Sequence, residues 1–249
     1  MGDQKLTVLG HLNELRQRLI RSVIAVVITT ALSFIFADRI FQVLLRPAGD
    51  TPFIYTEVTE MMGTYMKVCL AAGIGLAMPY LVFQLIMFVS PALTRREKRY
   101  VYLVIPWIAL MFLGGVAFGY FFMLPRAIEF LVGFGGDIAS PQIKIGNYIS
   151  LITKLLLAVG LSFEMPVITT FLARLGVVKP GWLAGRRKFA VVAAFIIGAI
   201  ITPTMDPVNQ TFIAAPLIVL YELSIWLAKL VQPRRAKALA PAPAADGLR

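Results

Sequence analysis

Two acidic residues, Glu164 and Glu222, lie inside long apolar stretches of this sequence. Apart from Glu164, every residue from position 155 to 173 is apolar, small or hydroxylated. An ionised acid at the centre of a bilayer costs about 2.5–3.5 kcal/mol on insertion scales, so we expect Glu164 to face protein or water. Pro166 has no N–H group, which leaves the Ser162 carbonyl without its helical partner. The pattern permits either a structural, hydrogen-bonded glutamate or a functional polar site within a helix bundle.

Two further acids, Glu14 and Glu97, lie in basic segments next to apolar stretches. Carboxylates in such positions can accept the two parallel N–H groups of a guanidinium group, a geometry that lysine cannot reproduce. Glu14 precedes Arg18 by four residues, so a surface ion pair on a helix is the simpler interpretation. For Glu97, which has four cationic neighbours, the simpler interpretation is local charge balance.

The sequence lacks the residues that several classes of catalytic chemistry require. His11 is the only histidine and Cys69 the only cysteine, which excludes a disulfide framework and disfavours a zinc site or a serine or thiol protease. No phosphate-binding loop pattern occurs. An aspartyl protease within the membrane would need two Asp residues at depth, but Asp50, Asp137 and Asp206 fall in predicted loops. We therefore predict a protein without enzyme activity, metal or other cofactor.

The composition requires a membrane-embedded scaffold for these acids. The 249 residues are 59% hydrophobic and 15% charged, whereas soluble domains are typically about 45–50% apolar and about 25% charged. We predict an all-α polytopic protein with a six-span membrane domain over residues 1–232. The predicted elements are an amphipathic helix at 5–19 and spans at about 20–37, 66–89, 100–124, 151–173, 189–202 and 211–229.

The fifth and sixth predicted spans are short. At about 1.5 Å per residue, the fifth span covers about 21 Å of a hydrocarbon core that is about 30 Å thick. A hairpin through a locally thinned bilayer and a re-entrant hairpin both fit; we favour the spanning form because mismatch costs only fractions of a kcal/mol per Å. Residues 233–249, rich in Ala and Pro, are predicted to form a disordered cytoplasmic tail.

The cationic residues predict the orientation. Most of the 24 Lys and Arg residues lie in the N-terminal segment, the second-to-third loop, the fourth-to-fifth loop and the C-terminal segment. Positive charge accumulates on the cytoplasmic side, so both termini are predicted to be cytoplasmic. The net charge of +11 is explained by this topology and does not require nucleic acid.

The motifs resemble one family. Residues 11–19, HLNELRQRL, are similar to the opening H-L-x-E-L-R-x-R-L pattern of the TatC family, the receptor and core subunit of the twin-arginine protein translocase. Residues 88–93 (FVSPAL) with 96–99 (REKR) resemble its first cytoplasmic loop, and 162–166 (SFEMP) its fourth span. The Thr-Pro pair at 202–203 resembles its fifth-to-sixth turn. The resemblance covers residues from about 8 to 231.

The resemblance implies a receptor that binds twin-arginine signal peptides and assembles with TatA-like and TatB-like single-span proteins. Such a complex, an oligomer in the cytoplasmic (inner) membrane, exports folded proteins using the proton-motive force. The residues implied for signal-peptide binding are Glu14, Glu97, Phe88, Arg16 and Leu19. The residues implied for an intramembrane polar site on the concave face of the bundle, where a partner helix would bind, are Glu164, Ser162, Pro166 and Glu222. The residues implied for far-side structure or assembly are Pro47 and Asp206.

Two other classes remain open from the residues alone. A proton-coupled small-molecule transporter would use Glu164, Glu222 and the proline-broken helices. Six spans are few for such a carrier unless it oligomerises, and the sequence contains no internal repeat of the kind that transporters use. A purely structural scaffold is the third class.

Overall fold

A computed structural model of the chain describes residues 8–49, 51–89, 95–133, 142–201 and 207–231. The elements in chain order are α1 (Val8–Ile35), α2 (Ala37–Leu45), β1 (Phe53–Ile54), α3 (Glu60–Val89), α4 (Arg95–Phe118), α5 (Leu124–Gly133), β2 (Ile143–Lys144), α6 (Ile145–Arg174), α7 (Pro180–Gly185), α8 (Arg187–Ile201) and α9 (Pro207–Val231).

Five helical segments are long and apolar enough to cross a membrane. Among the described residues these are Gly10–Ile35, Glu60–Val89, Val104–Phe130, Ile145–Arg174 and Gln210–Val231. They correspond to five of the six predicted spans. The remaining predicted span, at 189–202, is the shorter helix α8.

The first helix differs from the prediction. The expected amphipathic segment and the first expected span form one helix, α1, with no break between them. The reason is that a change from a polar to an apolar sequence does not end a helix unless a glycine, a proline or a capping residue is present. The polar N-terminal part of α1 is thus held rigidly in line with its apolar part.

Helix α1 packs along α3 at very close range. The Thr29 hydroxyl donates to the Gly73 carbonyl across the interface at 2.7 Å. A Cβ atom added at Gly73 would lie 2.3 Å from Thr30 Oγ1, so only glycine fits there. Small residues that let helix backbones approach closely are typical of helix packing in membranes.

Helix α6 lies at the centre of the bundle. Its buried side chains contribute to a large apolar core together with α3, α5, α8 and α9. On α4, Phe112 packs so tightly against α6 that a Cβ at Gly160 would lie 2.7 Å from Phe112 Cε2. The side chains of α6 are therefore fixed on most sides by neighbouring helices.

Two features lie in regions that the sequence assigned to loops. After α4 the chain continues through a π-helical turn, Gly119–Met123, into α5, where a loop from Pro125 onward was expected. Pro125 directly follows this π-helical turn, and prolines and π-bulges are the usual points at which a continuous helix is distorted. The short strands β1 and β2 pair in parallel, Phe53 with Ile143, so the all-α prediction needs this small correction. The predicted tail lies outside the described residues.

Helices α8 and α9 form an antiparallel hairpin. The Gln210 side chain donates to the Phe195 carbonyl at 2.9 Å near one end of the hairpin. At the other end Arg187 pairs with Glu222. Because α8 runs alongside α9 between these two contacts, both helices lie at the same depth of the bundle.

Candidate functional site

The N-terminal part of α1 and the C-terminal part of α3 meet at one end of the bundle, which we call the His11 end. The rings of His11 and Phe88 stack with their centroids 4.6 Å apart and their planes at 15°. The stack joins the first residues of two motifs that are distant in sequence, 11–19 and 88–93. Phe88 therefore lies beside the α1 segment that carries Glu14.

A hydrogen-bonded chain of four side chains lies one turn further into the bundle. Arg18 donates to Glu14 Oε1 through Nε, at 3.0 Å, and through Nη2. Its Nη1 group donates to Gln84 Oε1 at 3.1 Å, and Gln84 Nε2 is 2.6 Å from the Tyr80 hydroxyl. Gln84 is only 5% exposed. The ion pair expected from the spacing of Glu14 and Arg18 is thus present, and α3 anchors it.

The remaining residues expected at this site are described less fully. Arg16 and Leu19 are exposed on α1. The backbone places Glu97 in the first turn of α4, close in sequence to the end of α3, and its side chain lies outside the described part of the molecule. Helix α4 thus starts at the end of the bundle where α3 finishes.

Glu164 is fully buried, and no described residue forms a hydrogen bond with it. Its exposure is 0%, and neither carboxylate oxygen is bonded within the described part of the chain. Ile168 and Phe171, one and two turns along α6, pack with apolar side chains of α3 and α4, such as Val82 and Phe112. Because helix positions i+4 and i+7 share a face with i, Glu164 faces the same apolar layer. In the chain alone it does not lie on an open concave surface.

The other residues expected beside Glu164 point elsewhere. Ser162 donates to the Ala158 carbonyl at 2.6 Å and lines a cavity of 340 Å³ between α6 and the α8–α9 hairpin. Pro166 lines a second cavity of 490 Å³ between α4, α6 and α9. Residues two apart on a helix face different directions. The structure therefore separates Ser162 from Glu164 rather than forming one polar cluster.

Glu222 has a partner of its own at the end of the hairpin. Arg187 donates to both carboxylate oxygens of Glu222, at 2.7 and 2.8 Å. The two side chains are 52% and 46% exposed. Glu222 is thus held in a half-exposed ion pair and does not share the apolar layer of Glu164.

The opposite end of the bundle, which we call the Glu60 end, contains an acid that sequence reasoning missed. Glu60 accepts hydrogen bonds from the backbone N–H groups of Thr56, at 2.9 Å, and of Gly146, at 3.2 Å. The Gly146 N–H lies in the first turn of α6, where helix N–H groups lack internal partners. The available signal was an acid at the start of one helix, with a glycine at the start of another.

The Glu60 end also holds Pro47, which was expected to serve far-side structure or assembly. Pro47 lies in a 3₁₀ turn directly after α2. The hydroxyl groups of Tyr120 and Tyr148 donate to the Val43 and Leu44 carbonyls, at 2.7 and 3.1 Å. These bonds satisfy carbonyl groups that the end of α2 leaves free. The other expected residue, Asp206, lies outside the described residues.

These features define a class: a multi-pass α-helical membrane protein with a partly buried acid–guanidinium network at one end and an unpaired buried acid inside. A family model described as Sec-independent protein translocase protein (TatC) matches residues 10–216. The chain is 39% identical over 236 residues to the Sec-independent protein translocase protein TatC of Carboxydothermus hydrogenoformans, covering 94% of this chain and 97% of the relative.

Further comparisons agree. The TatC protein of Aquifex aeolicus is 39% identical, with 90% of this chain and 95% of the relative covered. A crystal structure of a twin-arginine translocase receptor, TatC, superposes with a TM-score of 0.79 at 40% identity, covering 89% of this chain and 99% of that one. The chain belongs to the TatC family. It is a component of the Sec-independent twin-arginine translocase, and its function is protein translocation.

Proposed function

We propose that this protein is the signal-peptide receptor of its translocase, with Glu14 and Glu97 forming the site for the paired arginines of the signal. The observation that supports this most directly is that Glu14 already holds a guanidinium group, that of Arg18. A carboxylate that is 24% exposed loses part of its hydration, which strengthens its pairing with a guanidinium group. Phe88, Arg16 and Leu19 lie at the same end of the bundle and would contact the rest of the signal.

Glu97 supplies the second acid. It lies in the first turn of α4, where the positive end of the helix dipole favours an ionised carboxylate. Two carboxylates on two helices at the same end of the bundle would each bind one arginine. Lysine would bind more weakly, because a single ammonium group cannot make the paired hydrogen bonds.

Glu164 serves a different step in this proposal. It binds a polar residue in the transmembrane helix of a TatA-like or TatB-like partner, which enters when the helices around it separate. The supporting observation is that both carboxylate oxygens lack a partner among the described residues, although acids at membrane depth are normally paired. Glu164→Ala should weaken crosslinking of this chain to a partner helix. Unchanged crosslinking would make the residue purely structural.

The proposed topology has six spans with both termini in the cytoplasm of the inner membrane. The short helix α8 would cross as part of the α8–α9 hairpin, and transport would be driven by the proton-motive force. The basic segments at the predicted cytoplasmic side support this orientation. Cysteine labelling from the outside at position 205, between α8 and α9, would test it: labelling supports six spans, and protection supports a re-entrant hairpin.

The receptor role is tested by export of a twin-arginine substrate. Glu97→Ala is expected to abolish export while the protein level and the melting temperature stay unchanged. Glu57→Ala, at an exposed site at the Glu60 end, is the matched control and should export normally. Normal export by the Glu97 variant, at equal protein level, would contradict the binding role.

A further inference from the structure

Arg18 makes the same kind of contact that the proposed function assigns to the signal peptide. Its guanidinium group points two N–H donors, Nε and Nη2, at Glu14 Oε1. Within the described part of the chain, no hydrogen bond reaches the other oxygen, Oε2. The acid is therefore half occupied, and an incoming guanidinium group would find only one carboxylate oxygen free.

Arg18 also has a second anchor. Its Nη1 group donates to Gln84 Oε1 at 3.1 Å. The amide of Gln84 is fixed in turn by Tyr80, at 2.6 Å, and is 5% exposed. When Arg18 leaves Glu14, it can stay hydrogen-bonded to Gln84 instead of moving into the apolar interface between α1 and α3. The side chain can thus move from one acceptor to another with little loss of hydrogen bonding.

We propose that Arg18 is an internal competitor for the arginine of the signal peptide. It occupies Glu14 in the empty receptor and yields it, remaining on Gln84, when a signal peptide binds. This inference rests on the proposed role of Glu14 and adds the regulation of that site. Its consequence is a lower apparent affinity for every ligand of Glu14, because each ligand must displace the same internal contact.

The competitor and a merely structural Arg18 predict opposite effects on binding. If Arg18 competes, its removal exposes both oxygens of Glu14 and binding tightens. If Arg18 only positions Glu14, its removal lets the acid move and binding weakens. A partly exposed pair contributes up to about 1 kcal/mol, so the expected tightening is up to about fivefold. The affinities for the Arg-Arg and Lys-Lys peptides should rise by the same factor in this variant, because the same internal contact opposes both.

The experiment measures binding of a fluorescent twin-arginine signal peptide, and of its Lys-Lys version, to the full-length protein in lipid nanodiscs. Arg18→Gln is compared with Arg21→Gln, which removes the same charge from an exposed position one turn along α1. We expect Arg18→Gln to bind both peptides more tightly, by the same factor, and Arg21→Gln to bind both as the wild type does. Weaker or unchanged binding in Arg18→Gln, or equal tightening in both variants, would overturn the proposal.

A double-mutant cycle separates this inference from the proposed function. Glu14→Gln tests the site alone: unchanged binding in that variant would refute the site itself. If Glu14→Gln weakens binding, adding Arg18→Gln to it should have no further effect, because the competitor acts only through Glu14. An equal gain in both backgrounds would show that Arg18 acts elsewhere and would overturn the inference while leaving the receptor role intact. Melting temperatures of all variants check that they are folded.

Discussion

The two glutamates Glu60 and Glu164 lie in opposite hydrogen-bonding environments, one at an end of the bundle and the other in its interior. The carboxylate of Glu60 accepts two backbone N–H bonds, one of them from the open first turn of α6. The carboxylate of Glu164 is completely buried in the same helix bundle, and both of its oxygens are unpaired within the described residues. The fold itself supplies hydrogen-bond donors to the first acid. The second has no partner among the described residues, and we propose that a group from outside the chain pairs with it.

This difference separates structural acids from functional ones in a membrane bundle. An acid that completes the hydrogen bonding of a helix end stabilises the fold whether or not the protein works. A buried, unpaired acid reduces stability, by about 1–3 kcal/mol for an unsatisfied buried group, which makes it a candidate for a functional role. Glu14 lies between these cases, since within the described residues one of its oxygens is bonded and the other is not.

The largest effects are expected at Glu164, where substitution should change export and thermal stability in opposite directions. Glu164→Leu replaces an unpaired carboxylate with an apolar side chain of similar size in an apolar layer. Export should fall to background, while the melting temperature of the purified protein should rise, because a buried unsatisfied group is removed. Glu164→Gln is the milder control, since its amide can still bond a partner helix. Normal export by Glu164→Leu, together with a raised melting temperature, would show that Glu164 has no role in export.

The reverse outcome is expected at the Glu60 end. Glu60→Ala leaves the N–H groups of Thr56 and Gly146 without their acceptor, so the free energy of unfolding should fall by about 1–3 kcal/mol. Export should decline only in proportion to the amount of folded protein. Thermal unfolding in detergent measures the loss, with the exposed neighbour Glu57→Ala as the control. If export is lost with no change in stability, Glu60 is functional and the comparison fails.

A smaller loss is expected from Tyr148→Phe. The variant removes the hydroxyl group that donates to the Leu44 carbonyl, in a side chain that is buried. A single neutral hydrogen bond contributes about 0.5–1.5 kcal/mol, so the melting temperature should fall by less than in Glu60→Ala. Tyr55→Phe, at an exposed position near β1, should not change it. An equal effect in both tyrosine variants would show that the Leu44 contact is not what stabilises this end.

The smallest effect is expected at the half-exposed pair on the hairpin. Arg187→Gln breaks the contact with Glu222, and exposed ion pairs contribute about 0–1 kcal/mol. Both export and thermal unfolding should stay close to wild type, with any difference vanishing at high salt. A large loss of export in this variant would show that Glu222 belongs with Glu164 rather than with the structural acids.

The sequence predicts those parts of this arrangement that depend on local spacing. The four-residue separation of Glu14 and Arg18 predicts their ion pair, and the apolar run around position 164 predicts a buried acid. The same helical geometry argues against grouping Ser162 with Glu164, because positions two apart face different directions. That signal is present in the sequence and corrects the expected cluster.

Other parts depend on contacts between distant segments and have no local signal. Gln84 meets Arg18 across 66 positions and Gly146 meets Glu60 across 86. Each contact follows from how helices pack, and no periodicity encodes the choice of partner. The continuity of α1 was missed for another reason, since a change in polarity marks a membrane surface but does not end a helix.

The most direct test of the account is site-specific photocrosslinking beside Glu97. A photoreactive residue replacing Lys98 in native membranes is exposed to a signal peptide carrying either Arg-Arg or Lys-Lys. The same probe replacing Arg39, on α2 away from the His11 end, is the control. The account predicts a crosslink at position 98 with Arg-Arg that fades with Lys-Lys, and none at position 39. Equal labelling by both peptides, or none by either, would contradict a receptor site at the His11 end.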